Sequence, residues 1–175
     1  LPVNMYRMFR GATSFTKDIT GWDVSTATNM SEMFMDSNFN QDISGWNPQN
    51  VTNFHGMFNN NPSFNSGQAP GVFSLLNWDT SSAEDMSFMF LDASAFNGDL
   101  SSWNVSSVED MFAMFQNADS FNNNSLSNWI VTSVESMRQM FAFTDIFNQD
   151  LSNWTTSSLN NIDSMFDGAV SFNNG

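Results

Sequence analysis

The sequence predicts a repeat solenoid: a right-handed coil with a parallel β-sheet on one face and short 3-10 or α-helical segments on the other. Three residue series carry that expectation. Trp falls at 22, 46, 78, 103, 129 and 154. Met-Phe pairs fall at 8-9, 33-34, 57-58, 89-90, 114-115, 140-141 and 165-166. A second Phe series runs 15, 39, 64, 96, 121, 147 and 172. All three advance by 24 to 26 residues, except for one shared step of 32. A common period with a common irregularity marks about seven tandem units, each too small to bury its apolar face alone.

Aligned on Trp, a unit reads F-N-x-D-(I/L)-S-x-W-(D/N)-V-S-x-V-x-(N/D)-M-x-x-M-F-x-x-A. The units run 1–15, 16–39, 40–64, 65–96, 97–121, 122–147 and 148–172, within a single domain 1–175 that reads as part of a longer chain. The fourth unit carries an insertion at 65–73, whose Gly and Pro content suits a surface loop. The Asp-(I/L)-Ser-x-Trp stretch, as in Asp42 to Trp46, Asp99 to Val105 and Asp150 to Trp154, is the expected strand. Stacking such strands at about 4.8 Å builds a parallel sheet. The following stretch, such as Val108, Met111, Met114 and Phe115, spaces apolar residues by three and suits one or two helical turns. Asn29, Asn53, Asp85, Asp110, Ser136 and Asn161 precede the first Met and are good helix N-cap types. The strand–crossover–strand rule gives the right-handed coil.

Two columns hold twelve of the thirteen Met, and the two Phe columns with Phe54 hold fifteen of the nineteen Phe. Nearly every large apolar side chain therefore stacks on its own kind in the next coil. Trp103 is expected to be nearly fully buried.

The phrases Phe39 to Trp46 (F-N-Q-D-I-S-G-W), Asn29 to Phe34 (N-M-S-E-M-F) and Phe147 to Trp154 (F-N-Q-D-L-S-N-W) resemble the BspA-like leucine-rich-repeat surface proteins, in their mycoplasma-lipoprotein-type variant. The resemblance covers essentially the whole chain. It implies a leucine-rich-repeat-like solenoid and an extracellular adhesive or scaffolding role, and it supplies no catalytic residue to carry over. Pro48 and Thr80 in place of Val, and Phe54 and Ile162 in place of Met, depart from the pattern.

Net charge is −14, from 18 acidic and four basic residues (Arg7, Arg10, Lys17 and Arg138). Nucleic-acid binding requires cationic side chains to displace phosphate counterions, so a nucleic-acid partner is not expected. An anionic membrane surface is disfavoured on the same ground. No apolar run reaches the length of a membrane span. Cys is absent, so no disulfide, thiolate metal site or thiol nucleophile is available.

Candidate chemistry is sparse. His55, the single His, lies in the variable part of a unit and reads as a surface residue. Acidic rows, with Asp18, Asp42, Asp99 and Asp150 in one of them, are weak candidates for Ca²⁺; turn hydrogen bonding by the same side chains is the ordinary role. Asn40, Asn65, Asn97, Asn122, Asn148 and Asn173 form a further column, read as a ladder satisfying loop backbone. Five N-x-S/T sequons match the number that 25 Asn and 37 Ser plus Thr give by chance. Met35, Phe88, Leu91 and Phe112 stand off the core columns and are the candidate partner contacts.

These readings converge on a secreted or cell-surface, non-catalytic domain without a cofactor. Its expected role is adhesion or structural assembly through contacts with other proteins or further copies of itself, end to end. The alternative is a glycan- or Ca²⁺-binding module. A hydrolase using paired carboxylates such as Asp18 and Asp42 requires one pair set apart in a cleft, and the rows repeat the group instead.

Overall fold

The computed structural model describes residues 3–66 and 75–173. The expected sheet-and-helix solenoid is not what the chain forms. Among the described residues there is no helix, and the only strands are β1 (Val3–Asn4) and β2 (Ala27–Asn29), paired parallel. The leucine-rich-repeat-like architecture is corrected accordingly: the chain is built almost wholly of turns and loops, held together by bonds between successive coils. The expected surface loop at 65–73 lies largely outside the described residues.

The M-x-x-M-F-x-x segment shows why no helix forms. Its N–H groups alternate between two destinations. One set closes i→i+3 turns, such as Met33 N–H to Met30 C=O at 3.2 Å and Met114 N–H to Met111 C=O at 3.2 Å. The other set leaves the coil altogether. Met111, Ala113, Phe115 and Asn117 donate to the carbonyls of Ser136, Arg138, Met140 and Ala142 in the following coil, at 2.8 to 3.0 Å. The same four rungs recur at every step between successive coils, from Met5–Asn29 through to Phe143–Asp167. A helix would direct all of these N–H groups inward to i−4 carbonyls.

The turns need left-handed residues. Arg7, Glu32, Gly56, Phe88, Ala113, Gln139 and Ser164 take positive φ at the third position of M-x-x-M, and Gly11, Asp36, Asn60, Asp92, Asn117, Phe143 and Gly168 do so four residues later. Positive φ at the third residue with an i→i+3 bond is the type II arrangement.

The expected strand, Asp-(I/L)-Ser-x-Trp, is also a bend. Each Asp carboxylate accepts the N–H two residues on, as Asp42 does from Ser44 at 2.9 Å and Asp99 from Ser101 at 2.8 Å. Each Trp N–H then closes a turn on the Ile or Leu carbonyl three residues back. An Asx turn followed by a tight turn leaves no extended backbone to pair. Parallel bridging moves to the Asn/Asp column instead: Asn29–Asn53–Asp85–Asp110–Ser136–Asn161, one residue per coil. These residues are therefore not helix caps. The side-chain oxygens of Asn29, Asn53, Asp85, Asp110 and Asn161 still accept the N–H two residues on, as Asn53 does from His55 at 2.9 Å.

The core matches the columns. Phe9, Phe34, Phe58, Phe90, Phe115, Phe141 and Phe166 stack in series, with centroids 5.4 to 5.7 Å apart and planes within 9°. Each lies against the second Phe of its own coil, Phe90 on Phe96 at 3.9 Å for example. Offset stacking of this kind adds about 0.5–1.5 kcal/mol per pair beyond burial. Trp46, Trp78, Trp103 and Trp129 are buried, and every Trp from 46 onward donates its Nε1–H to the Ile or Leu carbonyl of the coil before it. The Asn column is a ladder as well: the backbone N–H of Asn122 bonds Asn97 Oδ1, and that of Asn148 bonds Asn122 Oδ1, both at 2.9 Å.

Candidate functional site

Two surfaces collect the side chains with chemistry. One is the loop edge bearing the acidic row; the other is the outer face of the M-x-x-M-F turns.

On the loop edge, Asp18, Asp42, Asp99 and Asp150 sit one per coil, each turned back onto its own chain. Asp18 Oδ1 accepts from both the N–H and the hydroxyl of Thr20, at 2.9 and 2.7 Å. Asp150 accepts from the N–H of Ser152 at 2.9 Å. Hydrogen bonds from the Thr20 and Ser152 hydroxyls, then from their N–H groups, hold the Asp18 and Asp150 carboxyls below the usual Asp range. Asp23 and Asp79 are lowered in the same way by Ser25 and Ser81. The structure does not draw the row into one ligand set. Among the described residues, no three acidic or His side chains are grouped as a metal ion requires. An open depression of about 570 Å³ runs past Asp18, Thr20, Gln41 and Asp42.

On the outer face, Phe88 and Phe112 meet edge-on at 4.5 Å, and Leu91 closes a turn back onto Phe88. The guanidinium of Arg138 lies over the Phe112 ring at 5.3 Å, within cation–π range. The structure thus brings together three of the four off-column apolar residues, all partly exposed. Met35 stands apart, because Asn59 occupies the same position in the coil between it and Leu91.

His55 joins this face. Its ring stands edge-on to Phe88 at 5.2 Å, and its Nδ1 lies 2.8 Å from Ser87 Oγ. Ser87 donates its hydroxyl to Asp85 Oδ1 at 2.6 Å and is itself buried, while Asp85 Oδ2 is 3.9 Å from the imidazole. In a nucleophilic triad the imidazole stands between serine and carboxylate. Here the serine stands between the other two, its proton already engaged by the carboxylate.

The sequence reading missed the carboxylates bordering this face. Glu84, Glu109 and Glu135 stack through successive coils, because the N–H of Glu109 bonds the Glu84 carbonyl and that of Glu135 bonds Glu109. Asp85 and Asp110 pair in the bridge column beside them. Burial first, and the neighbouring Asp85 charge as well, push the Asp110 carboxyl above the usual range, against its bond from the Phe112 N–H. The sign follows: a raised carboxyl pKa costs stability at neutral pH, and that cost disappears as pH falls and Asp110 takes up a proton. Asp110→Asn keeps the Oδ1 acceptor used at Asn29 and Asn53. It is expected to raise the melting temperature at pH 7, with the gain shrinking in acid; a thermal melt series from pH 7 to pH 4 reads both effects.

At the first coil, Arg7 binds Glu32 through two hydrogen bonds of 2.8 and 3.0 Å, and Arg10 Nη1 reaches the same carboxylate at 2.5 Å. The Arg7 bond lowers the Glu32 pKa most. Two of the four cations are thus engaged within the fold, and a third lies on Phe112. Among the described residues, no helix is long and apolar enough to cross a membrane.

No curated protein and no solved structure matches the chain. One family profile does, over residues 3–70 and again over 71–175, so that the two matches together span nearly the full length. The chain belongs to the family described as Mycoplasma protein of unknown function, DUF285.

Proposed function

We propose that the chain is a non-catalytic repeat domain, displayed on or secreted from the cell, that supports adhesion or structural assembly through protein–protein contacts. The observation that carries this reading is a contrast between two sets of columns. Inward positions repeat the same side chain coil after coil. The position after the first Met instead runs Tyr6, Ser31, His55, Ser87, Phe112, Arg138 and Asp163, of which Ser31 and Ser87 are buried and the other five are partly or fully exposed. The four rungs between coils use backbone groups alone and so do not dictate which side chain stands at that position, and Phe88, Leu91 and Phe112 place apolar surface beside it. Contact surfaces favour aromatic side chains of this kind. The Ser87–His55–Asp85 order supports a structural rather than catalytic use of those groups.

The test is a pair of assays. Beads coated with the chain are expected to be retained on cells or on immobilised extracellular proteins. The double variant Phe88→Ser/Phe112→Ser is expected to reduce retention about thirtyfold, as the loss of a central aromatic anchor worth roughly 2 kcal/mol implies. Retention equal to albumin-coated beads would sink the reading. Protease treatment of intact source cells checks the location: removal of the chain is the expected result.

A further inference from the structure

The face around Phe88 and Phe112 is apolar at its centre and anionic along its border. Phe88, Leu91 and Phe112 are partly exposed, and the exposed Glu84, Glu109 and Glu135 follow one another coil by coil beside them. Asp85 and Asp110 pair in the adjoining bridge column. Carboxylates stacked in this way repel one another, and a cation set against them relieves the repulsion.

The chain does not supply that cation. Arg7 and Arg10 are held by Glu32, and Arg138 lies over the Phe112 ring. Among the described residues, Glu84, Glu109 and Glu135 form no ion pair, and no cation of the chain lies over the Phe88 ring. Asp85 Oδ2 faces His55 Nδ1 at 3.9 Å, a group that is charged only if protonated. Among the described residues, no three of these carboxylates are grouped as a metal ion requires. The complementary charge is therefore one spread along the face, as on a chain bearing several basic side chains.

The core does not explain Phe88. Its backbone is left-handed at φ 58°, at the position where the preceding coil has Gly56. A bulky side chain is strained there, yet Phe88 remains partly exposed. The Arg138 guanidinium, 5.3 Å from the centre of the Phe112 ring, shows how this surface holds a cation: against an aromatic ring. Arginine suits such a surface better than lysine, because its planar group stacks on rings and bonds carboxylates through two parallel N–H groups.

We propose that the Phe88–Phe112 face takes an arginine-bearing segment of a partner protein, its guanidinium groups stacking on Phe88 and pairing with Glu84, Glu109 and Glu135. The inference rests on the protein-contact reading of the same face and names the chemistry of the partner.

The experiment is fluorescence anisotropy of a labelled, terminally blocked peptide that alternates arginine and leucine, titrated with the whole chain. The peptide is expected to bind at least about tenfold tighter than its counterpart with glutamate for arginine, and to weaken as salt rises. Glu84→Gln/Glu109→Gln/Glu135→Gln, confined to exposed side chains, is expected to weaken binding at least about tenfold, and so is Phe88→Ser/Phe112→Ser. Asp18→Asn/Asp99→Asn/Asp150→Asn removes the same charge from the loop edge while keeping each turn's acceptor oxygen. It is expected to change affinity less than about twofold, because exposed charges far from the face are screened. Equal affinity for the two peptides, equal weakening by the two triple variants, or binding unaffected by the loss of Phe88 and Phe112 would each overturn the proposal. Bead retention separates this inference from the broader reading. A fall with both the Phe and the Glu variants is the expected result. A fall with the Phe variant alone leaves a protein contact and removes the arginine-bearing partner from it.

Discussion

Trp103→Ala is expected to lower the unfolding free energy by about 3–5 kcal/mol, the range for removing a large buried aromatic. Trp103 is 4% exposed, lies parallel to Trp78 at 6.1 Å and touches Phe90 at 6.2 Å. Its Nε1–H bonds the Leu75 carbonyl at 3.0 Å. The alanine variant therefore opens a cavity in the stack and removes one of the two hydrogen bonds that the Leu75 carbonyl accepts, the other coming from the Trp78 N–H at 3.1 Å. Trp22 supplies the internal control: it occupies the same column but is 38% exposed, and among the described residues its Nε1–H has no carbonyl partner like that of Trp103. Trp22→Ala is expected to cost less than half as much. Denaturant unfolding followed by circular dichroism compares the two. Equal losses would show that the Trp column does not carry the core in the way its burial implies.

The side-chain columns were legible in the sequence and the backbone path was not, for physical reasons that differ by segment. Phe and Met positions repeat because each must meet its own kind in the next coil, and that requirement is the same whatever the chain does in between. A spacing of three apolar residues, by contrast, suits a 3-10 turn and a type II turn equally, since both close i→i+3 bonds. Asn or Asp ahead of Met is equally ambiguous, because a helix cap and an Asx turn both accept the N–H two residues on. The second left-handed column does distinguish the two. It reads Gly11, Asp36, Asn60, Asp92, Asn117, Phe143 and Gly168, and all but Phe143 are types that tolerate positive φ. A column so rich in Gly, Asn and Asp argues against helix. The acidic row was readable as turn-forming, and its Asx bonds are what the structure shows.

The turn architecture is tested most directly at Ala113. This residue is fully buried, sits at φ +51°, and donates its N–H to the Arg138 carbonyl at 2.8 Å. Ala113→Pro removes one of four rungs between coils and forces φ toward −65°, so the loss is expected to be about 3 kcal/mol or more. Proline would damage a helix as well, so that result alone separates nothing. Glycine does separate the two architectures. In a helix interior, Ala→Gly costs about 1 kcal/mol. In a left-handed turn, an L-residue already carries about 1–2 kcal/mol of steric cost that glycine lacks. Glycine's larger unfolded-state entropy, about 0.5–1 kcal/mol, offsets part of that gain. Ala113→Gly is therefore expected to be neutral or stabilising by up to about 1 kcal/mol, as Gly56 at the same position two coils earlier suggests. Paired thermal and denaturant unfolding of the two variants reads the sign. A loss near 1 kcal/mol for glycine would restore the helical reading of the Met-Phe segments.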